Sequence, residues 1–252
     1  MILQNKVIII TGGGRGIGRG ISAACAQEGA KLVITGRNVA TLETAKEALE
    51  KEYGVEVLAV PADNADEESI KRVIQKTIET FGRIDGLINN AQSGVDGRKF
   101  EDFTMDEFKQ HFVTGPFAAF LYMKYAFPYL KESGGSVINF ASGTGMDGTL
   151  QYGSYAASKE AMRGMSRVAA REWGPAGIRV NVVCPIVMTD GMQKWAEMFP
   201  EKNEEVLRTI PLRKYGRAKE DVGSLCAFLC SDKAEYITAQ TICIDGGAIM
   251  RP

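Results

Sequence analysis

Apolar residues along the chain follow two alternating rhythms. Short unbroken runs (Val7-Ile8-Ile9-Ile10, Leu32-Val33-Ile34, Leu87-Ile88, Val137-Ile138) are separated by longer stretches with apolar positions every three or four residues. Unbroken runs of this length read as strands buried on both faces, and the 3.6-residue spacing reads as helix. Strands are expected at 7–11, 31–35, 55–60, 86–89, 136–141, 178–183 and 241–245. Helices are expected from Gly16 to about Gly29 and at 39–53, 66–81, 105–131 (eased at Pro116), 154–173 and 220–230. Strict alternation of the two implies a doubly wound α/β architecture, a parallel sheet of about seven strands covered by helices through right-handed crossovers. No linker or low-complexity tract divides residues 1–252, so a single domain is expected.

Composition narrows the partners. Thirty basic residues against 31 acidic ones make no electrostatic case for nucleic acid or an anionic membrane. No apolar run approaches the ~20 residues of a membrane span. The N-terminal residues Met1-Ile2-Leu3-Gln4-Asn5-Lys6 lead straight into a strand without the layout of a signal peptide. Cys25, Cys184, Cys226, Cys230 and Cys243 are scattered, odd in number and without metal-ligand spacing. A reduced, soluble, cytoplasmic protein is expected.

Two stretches carry candidate chemistry. In residues 11–18, Thr-Gly-Gly-Gly-Arg-Gly-Ile-Gly, Gly12, Gly16 and Gly18 follow a strand and open a helix. Such a turn brings backbone close to a ligand and offers free N–H groups to a pyrophosphate. A glycine turn alone is also compatible with a plain loop; the strand before and helix after favour nucleotide binding. The second stretch is Tyr155-Ala156-Ala157-Ser158-Lys159, where four-residue spacing puts Tyr155 and Lys159 on one helix face. A phenol titrates near ~10, and a nearby ammonium is expected to draw that value down toward the range of a useful acid/base. Ser142 follows the strand Val137-Ile138-Asn139-Phe140, at the sheet edge where α/β proteins meet ligands. Alone, Tyr-x-x-x-Lys is also compatible with an ordinary amphipathic helix.

Together, Thr-Gly-x-x-x-Gly-x-Gly, Asn89-Asn90-Ala91 and Ser142 with Tyr155-x-x-x-Lys159 resemble the short-chain dehydrogenase/reductase family, in its order and spacing along essentially the whole chain. The resemblance implies a Rossmann fold and an enzyme that moves a hydride between a nicotinamide cofactor and a secondary alcohol or ketone. Tyr155 would exchange the hydroxyl proton, Ser142 would hold the substrate oxygen, and Lys159 would tune Tyr155 and bind the nicotinamide ribose. Cofactor contacts are expected from Gly12, Arg15, Gly16, Ile17, Gly18, Arg37, Asp63, Asn64, Asn90, Tyr155, Lys159 and Thr189. The end of the second strand carries Gly36-Arg37 where a carboxylate would repel a 2′-phosphate. With Arg15 nearby, two guanidinium groups without an opposing acid favour NADP(H). Family relatives pair their long helices into dimers, usually within tetramers, and Phe117, Phe120 and Leu121 extend the apolar surface of one such helix here; a homotetramer or homodimer is expected.

Several positions depart from the family pattern. Counting back three from Gly115, the family's catalytic Asn becomes Phe112; its usual Gly after Asn-Asn-Ala becomes Gln92; its Pro-Gly becomes Pro185-Ile186; and its loop threonine arrives one residue early, as Thr189. The lone His111 reads as structural or exposed. Within the family, Asn89-Asn90-Ala91-Gln92, the non-Asn residue at 112, Val137 to Gly143, Cys184-Pro185-Ile186 and the terminal Arg251-Pro252 are similar to bacterial NADP-dependent 12α-hydroxysteroid dehydrogenases. Substrate contacts are expected from Gln92, Ser142, Tyr155, Ile186, Met192 and Trp195, with Phe112 adding apolar surface. A lid over residues 187–212 is expected to cover a bulky hydrophobic alcohol or ketone. A 3-oxoacyl-(acyl-carrier-protein) reductase, a general carbonyl reductase and a non-catalytic dinucleotide-binding regulator are the competing readings.

Overall fold

The computed structural model describes residues 1–250; Arg251 and Pro252, part of the likeness noted above, lie outside the described residues. The strands are β1 (Val7–Thr11), β2 (Lys31–Gly36), β3 (Val57–Pro61), β4 (Gly86–Asn89), β5 (Ser136–Phe140), β6 (Arg179–Pro185) and β7 (Thr241–Ile244). The helices are α1 (Gly16–Gln27), α2 (Val39–Tyr53), α3 (Glu67–Phe81), α4 (Met105–Phe112), α5 (Ala118–Ser133), α6 (Gly143–Asp147), α7 (Gly153–Trp173), α8 (Asp190–Met198), α9 (Pro200–Thr209) and α10 (Ser224–Cys230). One seven-stranded sheet runs in the order β3-β2-β1-β4-β5-β6-β7, every pair parallel. This is the doubly wound α/β fold expected from the sequence.

The strand period of two explains how one sheet feeds two cores. Ile8, Ile10, Leu32, Ile34 and Ile138 pack into a cluster with Ile21 and Cys25 of α1, Leu42 and Leu49 of α2, and Cys226 and Leu229 of α10. Val7, Ile9, Val33, Leu87 and Val137 face the other way, onto Ile70 and Val73 of α3, Tyr122 and Ala126 of α5, and Ala169 of α7. Each fully buried aliphatic side chain contributes about 1.5–3 kcal/mol, so the central strands hold both layers. Helix starts agree with side-chain chemistry. Asn38 accepts from the Thr41 amide at 2.9 Å, and Thr104 forms a reciprocal capping box with Glu107.

Differences from expectation are local. β3 begins at Val57, where pairing with Leu32 starts, and β6 runs on to Pro185 because Ile244 of β7 pairs with it. β5 ends at Phe140, leaving Ala141 outside it. The long central helix is interrupted by a π-turn, Val113–Phe117, around Pro116, which lacks the N–H a regular turn requires. The helix expected near Glu220 starts with a second π-turn at Ala218–Gly223. α6 was not expected, since Gly-Thr-Gly-Met-Asp carries little helical signal. Residues 187–212 hold α8 and α9.

Candidate active site

Strand order reverses between β1 and β4, so the chain leaves the two strands in opposite directions and opens a crevice at their carboxyl ends. The buried Thr11 holds the crevice together. Its hydroxyl accepts from the Asn90 and Ala91 amides at 2.9 and 3.0 Å, while the Asn90 side chain donates to the Thr11 carbonyl at 2.9 Å. A cavity of about 720 Å³ opens above this junction. Its walls include Gly12, Arg15, Gly16, Ile17, Gly18, Arg37, Asp63, Asn64, Asn90 and Thr189, which brings together all the expected cofactor residues except Tyr155 and Lys159.

The cavity fits a dinucleotide. A Cβ at position 18 would lie 2.1 Å from the Gly12 carbonyl oxygen, so only glycine lets the loop close this tightly. α1 starts without a side-chain cap and without an acid in its first turn, which leaves its first amides for an anion. Arg15 and Arg37 are exposed on the cavity wall, and neither has a carboxylate partner among the described residues. Asn64 is tied by its amide to the carbonyls of Ala91 and Thr114, at 3.4 and 3.2 Å. Thr189 caps α8 by accepting from the Met192 amide at 3.2 Å, so the segment expected to act as a lid starts at the cavity rim.

Ser142, Tyr155 and Lys159 meet at the end of β5. Ser142 caps α6, accepting from the Thr144 amide at 3.2 Å, and its hydroxyl is close enough to the Tyr155 phenol to lower the phenol's pKa. Lys159 is buried, its Nζ 5.3 Å from the Tyr155 ring centroid and donating to the Phe140 carbonyl at 2.8 Å. The electrostatics correct the expectation from sequence. Burial pushes the Tyr155 pKa up, outweighing the lowering from Ser142, while burial brings Lys159 down to about 8. Desolvation therefore governs both groups, and the ammonium does not win over it.

Gln92 lines the cavity but spends its amide N–H groups on the His111 carbonyl, at 3.0 Å, and on Ser158 Oγ, at 2.7 Å. Ile186, Met192 and Trp195 are half-buried and outside that cavity's lining, with Trp195 packed on Phe199 at 6.2 Å. Phe112 is not a cavity residue either. Its ring stacks on Phe108 and leans on the exposed Phe117. His111, which sequence reasoning set aside, is buried with its ring edge-on to Tyr155 at 5.4 Å. Its only sequence signal was its place one residue before the position of the absent asparagine.

Residues 12–248 match the family model described as enoyl-(acyl carrier protein) reductase, and the chain belongs to the short-chain dehydrogenase/reductase family of oxidoreductases. It is 46% identical over 257 residues to a 12α-hydroxysteroid dehydrogenase of a Clostridium species, covering 100% of this chain and 99% of the relative. It is 33% identical to a 3-oxoacyl-(acyl-carrier-protein) reductase of Staphylococcus epidermidis, over 98% of this chain and 100% of that one. It also superimposes on the crystal structure of L-sorbose reductase from Gluconobacter frateurii complexed with NADPH and L-sorbose, with a TM-score of 0.93 and 27% identity, covering 100% of this chain and 98% of that chain.

The buried ammonium has a consequence for stability. With a folded pKa of about 8 against an ordinary value of 10.5, the native state holds fewer protons than the unfolded chain between those values. Stability therefore rises with pH through that window, and the penalty is complete below about pH 8. Lys159→Met should raise unfolding free energy at pH 7 by about 2 kcal/mol, the relieved desolvation exceeding the lost bond to Phe140. Urea titrations at pH 7 and pH 10 should show that gain shrinking at the higher pH; no gain at pH 7 would refute it.

Proposed function

We propose that the chain is an NADP(H)-dependent dehydrogenase that interconverts a secondary alcohol and a ketone on a bulky hydrophobic substrate of the hydroxysteroid class, at the 12α position. The observation that carries this reading is the convergence of Ser142, Tyr155 and Lys159 beside a dinucleotide-sized cavity. The 46% identity to a 12α-hydroxysteroid dehydrogenase supports the substrate class. In this reading residues 1–252 act as one domain, with 187–212 as its lid, in a cytoplasmic setting.

Hydride chemistry is supplied by NADP(H) when it is bound. The remaining work falls to this chain. The glycine loop and the α1 amides hold the pyrophosphate, Arg15 and Arg37 clamp the 2′-phosphate, Asp63 and Asn64 flank the adenine, and Asn90, Lys159 and Thr189 hold the nicotinamide end. Tyr155 gives a proton to the substrate oxygen in reduction and takes it in oxidation, so its hydroxyl needs a partner that follows its charge. Ser142, beside that phenol, donates its hydroxyl hydrogen to the same substrate oxygen and steadies developing charge. Lys159 presents a cation to the phenol ring from 5.3 Å. Ile186, Met192 and Trp195 supply apolar surface, each Å² of which is worth about 25 cal/mol against a rigid ring system.

Three measurements test this. With NADP⁺, cholate and deoxycholate should be oxidised, and chenodeoxycholate, which lacks the 12-hydroxyl, should not. Equal rates on all three would move the reaction to another ring position, and turnover of none would favour the acyl or small-ketone readings. Gly36→Asp with Arg37→Ala should shift preference toward NAD(H) by roughly tenfold or more, from lost charge-assisted bonds. The new Cβ has room, its nearest neighbour being Leu42 at 3.7 Å, so unchanged selectivity in that variant would remove the basis for NADP. Finally, Phe117, Phe120 and Val168 are more than half exposed on α5 and its approach and on α7, a surface suited to a second copy of this chain. Light scattering should return a dimer or tetramer, and a monomer mass would reject that assembly.

A further inference from the structure

The three serines of α7 are all buried, and spacings of four and eight put them on one face of the helix. Each makes a bond to another element. Ser154 donates to the Phe108 carbonyl of α4 at 2.6 Å, and Ser166 accepts from the Asn139 side chain of β5 at 2.8 Å. Between them, Ser158 accepts from the side-chain amide of Gln92 at 2.7 Å. Of the three, only Ser158 lies within the turn that runs from Tyr155 to Lys159. Its hydroxyl also passes the bond on, donating to the Tyr155 carbonyl at 2.8 Å. In an α-helix that carbonyl is the partner of the Lys159 amide, so the hydroxyl sits on the peptide group that joins the two residues in one turn.

Gln92 is held at its other end by α4. The same Nε2 donates to the His111 carbonyl at 3.0 Å. A carbonyl only accepts, so the amide is oriented with its NH₂ toward both partners, and the reverse orientation would set two oxygens against each other. Five residues on from His111, Pro116 has no N–H to give that carbonyl in an i→i+5 bond, and Gln92 brings it a donor. The π-turn also makes the room. A Cβ at Gly115 would lie 2.8 Å from Nε2 and 2.9 Å from Cδ of Gln92. Gln92 lines the cavity, and its Oε1 is buried without a hydrogen-bond partner among the described residues. The amide is therefore held by its donor end alone.

We propose that Gln92 is a positioning residue: through Ser158 it fixes the rotation of α7 at the turn from Tyr155 to Lys159, and with it the place of the Tyr155 hydroxyl. This rests on the reading of Tyr155 as the proton-exchanging group. Proton exchange requires hydrogen-bond reach to the substrate oxygen. The phenol hydroxyl lies at the tip of its side chain, so a small turn of the helix about its axis moves it further than any backbone atom. Such a displacement slows the chemical step while leaving the binding surfaces of the crevice in place. Amide, hydroxyl and carbonyl carry no charge, so the tie is the same in oxidation and in reduction.

The test is single-turnover oxidation of a secondary alcohol that the enzyme turns over, with enzyme in excess of NADP⁺ and the alcohol saturating. The observed rate then reads the chemical step, and an unfolded fraction does not enter it. Gln92→Met keeps the length and removes the amide, while Ser158→Ala removes the hydroxyl of a residue outside the cavity lining. Each should slow the step about tenfold, with the half-saturating alcohol concentration within about twofold of wild type. Ser158→Cys, which keeps a weak donor and acceptor in place, should fall between wild type and Ser158→Ala. The double variant Gln92→Met with Ser158→Ala should be no slower than either single one, since both break the same tie. A merely structural role would lower the melting temperature and leave the single-turnover rate unchanged, which would overturn the proposal. An unslowed Ser158→Ala beside a slow Gln92→Met, or additive losses in the double variant, would overturn it too, because Gln92 would then act on the ligand directly. Tyr155→Phe separates the two levels of argument: substantial turnover in that variant would overturn the tyrosine assignment and this role with it, whereas an inactive Tyr155→Phe beside an unslowed Ser158→Ala overturns the positioning role alone.

Discussion

A parallel sheet has to be covered on both faces, and the crossovers that cover it leave polar groups accessible mainly at the strand ends. Every functional element of this molecule follows from that constraint. The inner faces of β1, β2, β4 and β5 are committed to two hydrophobic layers, so chemistry collects where Thr11, Gly36, Asn89 and Phe140 finish their strands. The reversal of strand order between β1 and β4 supplies the crevice, and the Thr11 hydroxyl fixes the two strand ends relative to each other. Deeper down, Asn89 donates to Asn139 at 2.8 Å, and Asn139 donates to Ser166 of α7 at 2.8 Å. The helix that carries Tyr155 and Lys159 is thereby pinned to the same strands that shape the cavity.

Burial has opposite effects on the two parts of the site. At the cofactor end it is incomplete, and the guanidinium groups of Arg15 and Arg37 remain solvated and ready to pair. At the chemical end it is strong, and it drives both Tyr155 and Lys159 toward their neutral forms. Burial thus favours a protonated phenol and a partly discharged amine. A charge entering the crevice would shift both, because neither is held by an ion pair among the described residues.

Much of this was legible in the sequence. Apolar runs on a strand rhythm gave seven strands, and the glycine spacing located the cavity wall to the residue. Ser142, Tyr155 and Lys159 came from spacing and family likeness, and the structure brings them together. The direction of the Tyr155 shift was not legible, because spacing shows that a lysine is near but not how much water both have lost. Which of Phe112 and His111 faces inward was not legible for a related reason: adjacent residues on a helix face about 100° apart, and only the packing of α4 against α7 decides which one looks inward. Gln92, expected at the substrate, lines the cavity and is also braced between α4 and α7, by residues 19 and 66 positions away that its own position in the sequence does not reveal.

The π-turn at Val113–Phe117 works as a phase shift along a rod. An i→i+5 turn accommodates one more residue than a regular one, and each residue of an α-helix advances the side chains by about 100°. The polypeptide from Met105 to Ser133 is one column, yet its two halves are indexed differently. Upstream of the insertion the register delivers His111 to the tyrosine; downstream it delivers Phe117 and Phe120 to the outside and Tyr122 to the core. A regular helix with the same sequence could not satisfy both halves at once. Loss or gain of a single residue here would therefore turn the side chains of α5 by about 100° relative to those of α4.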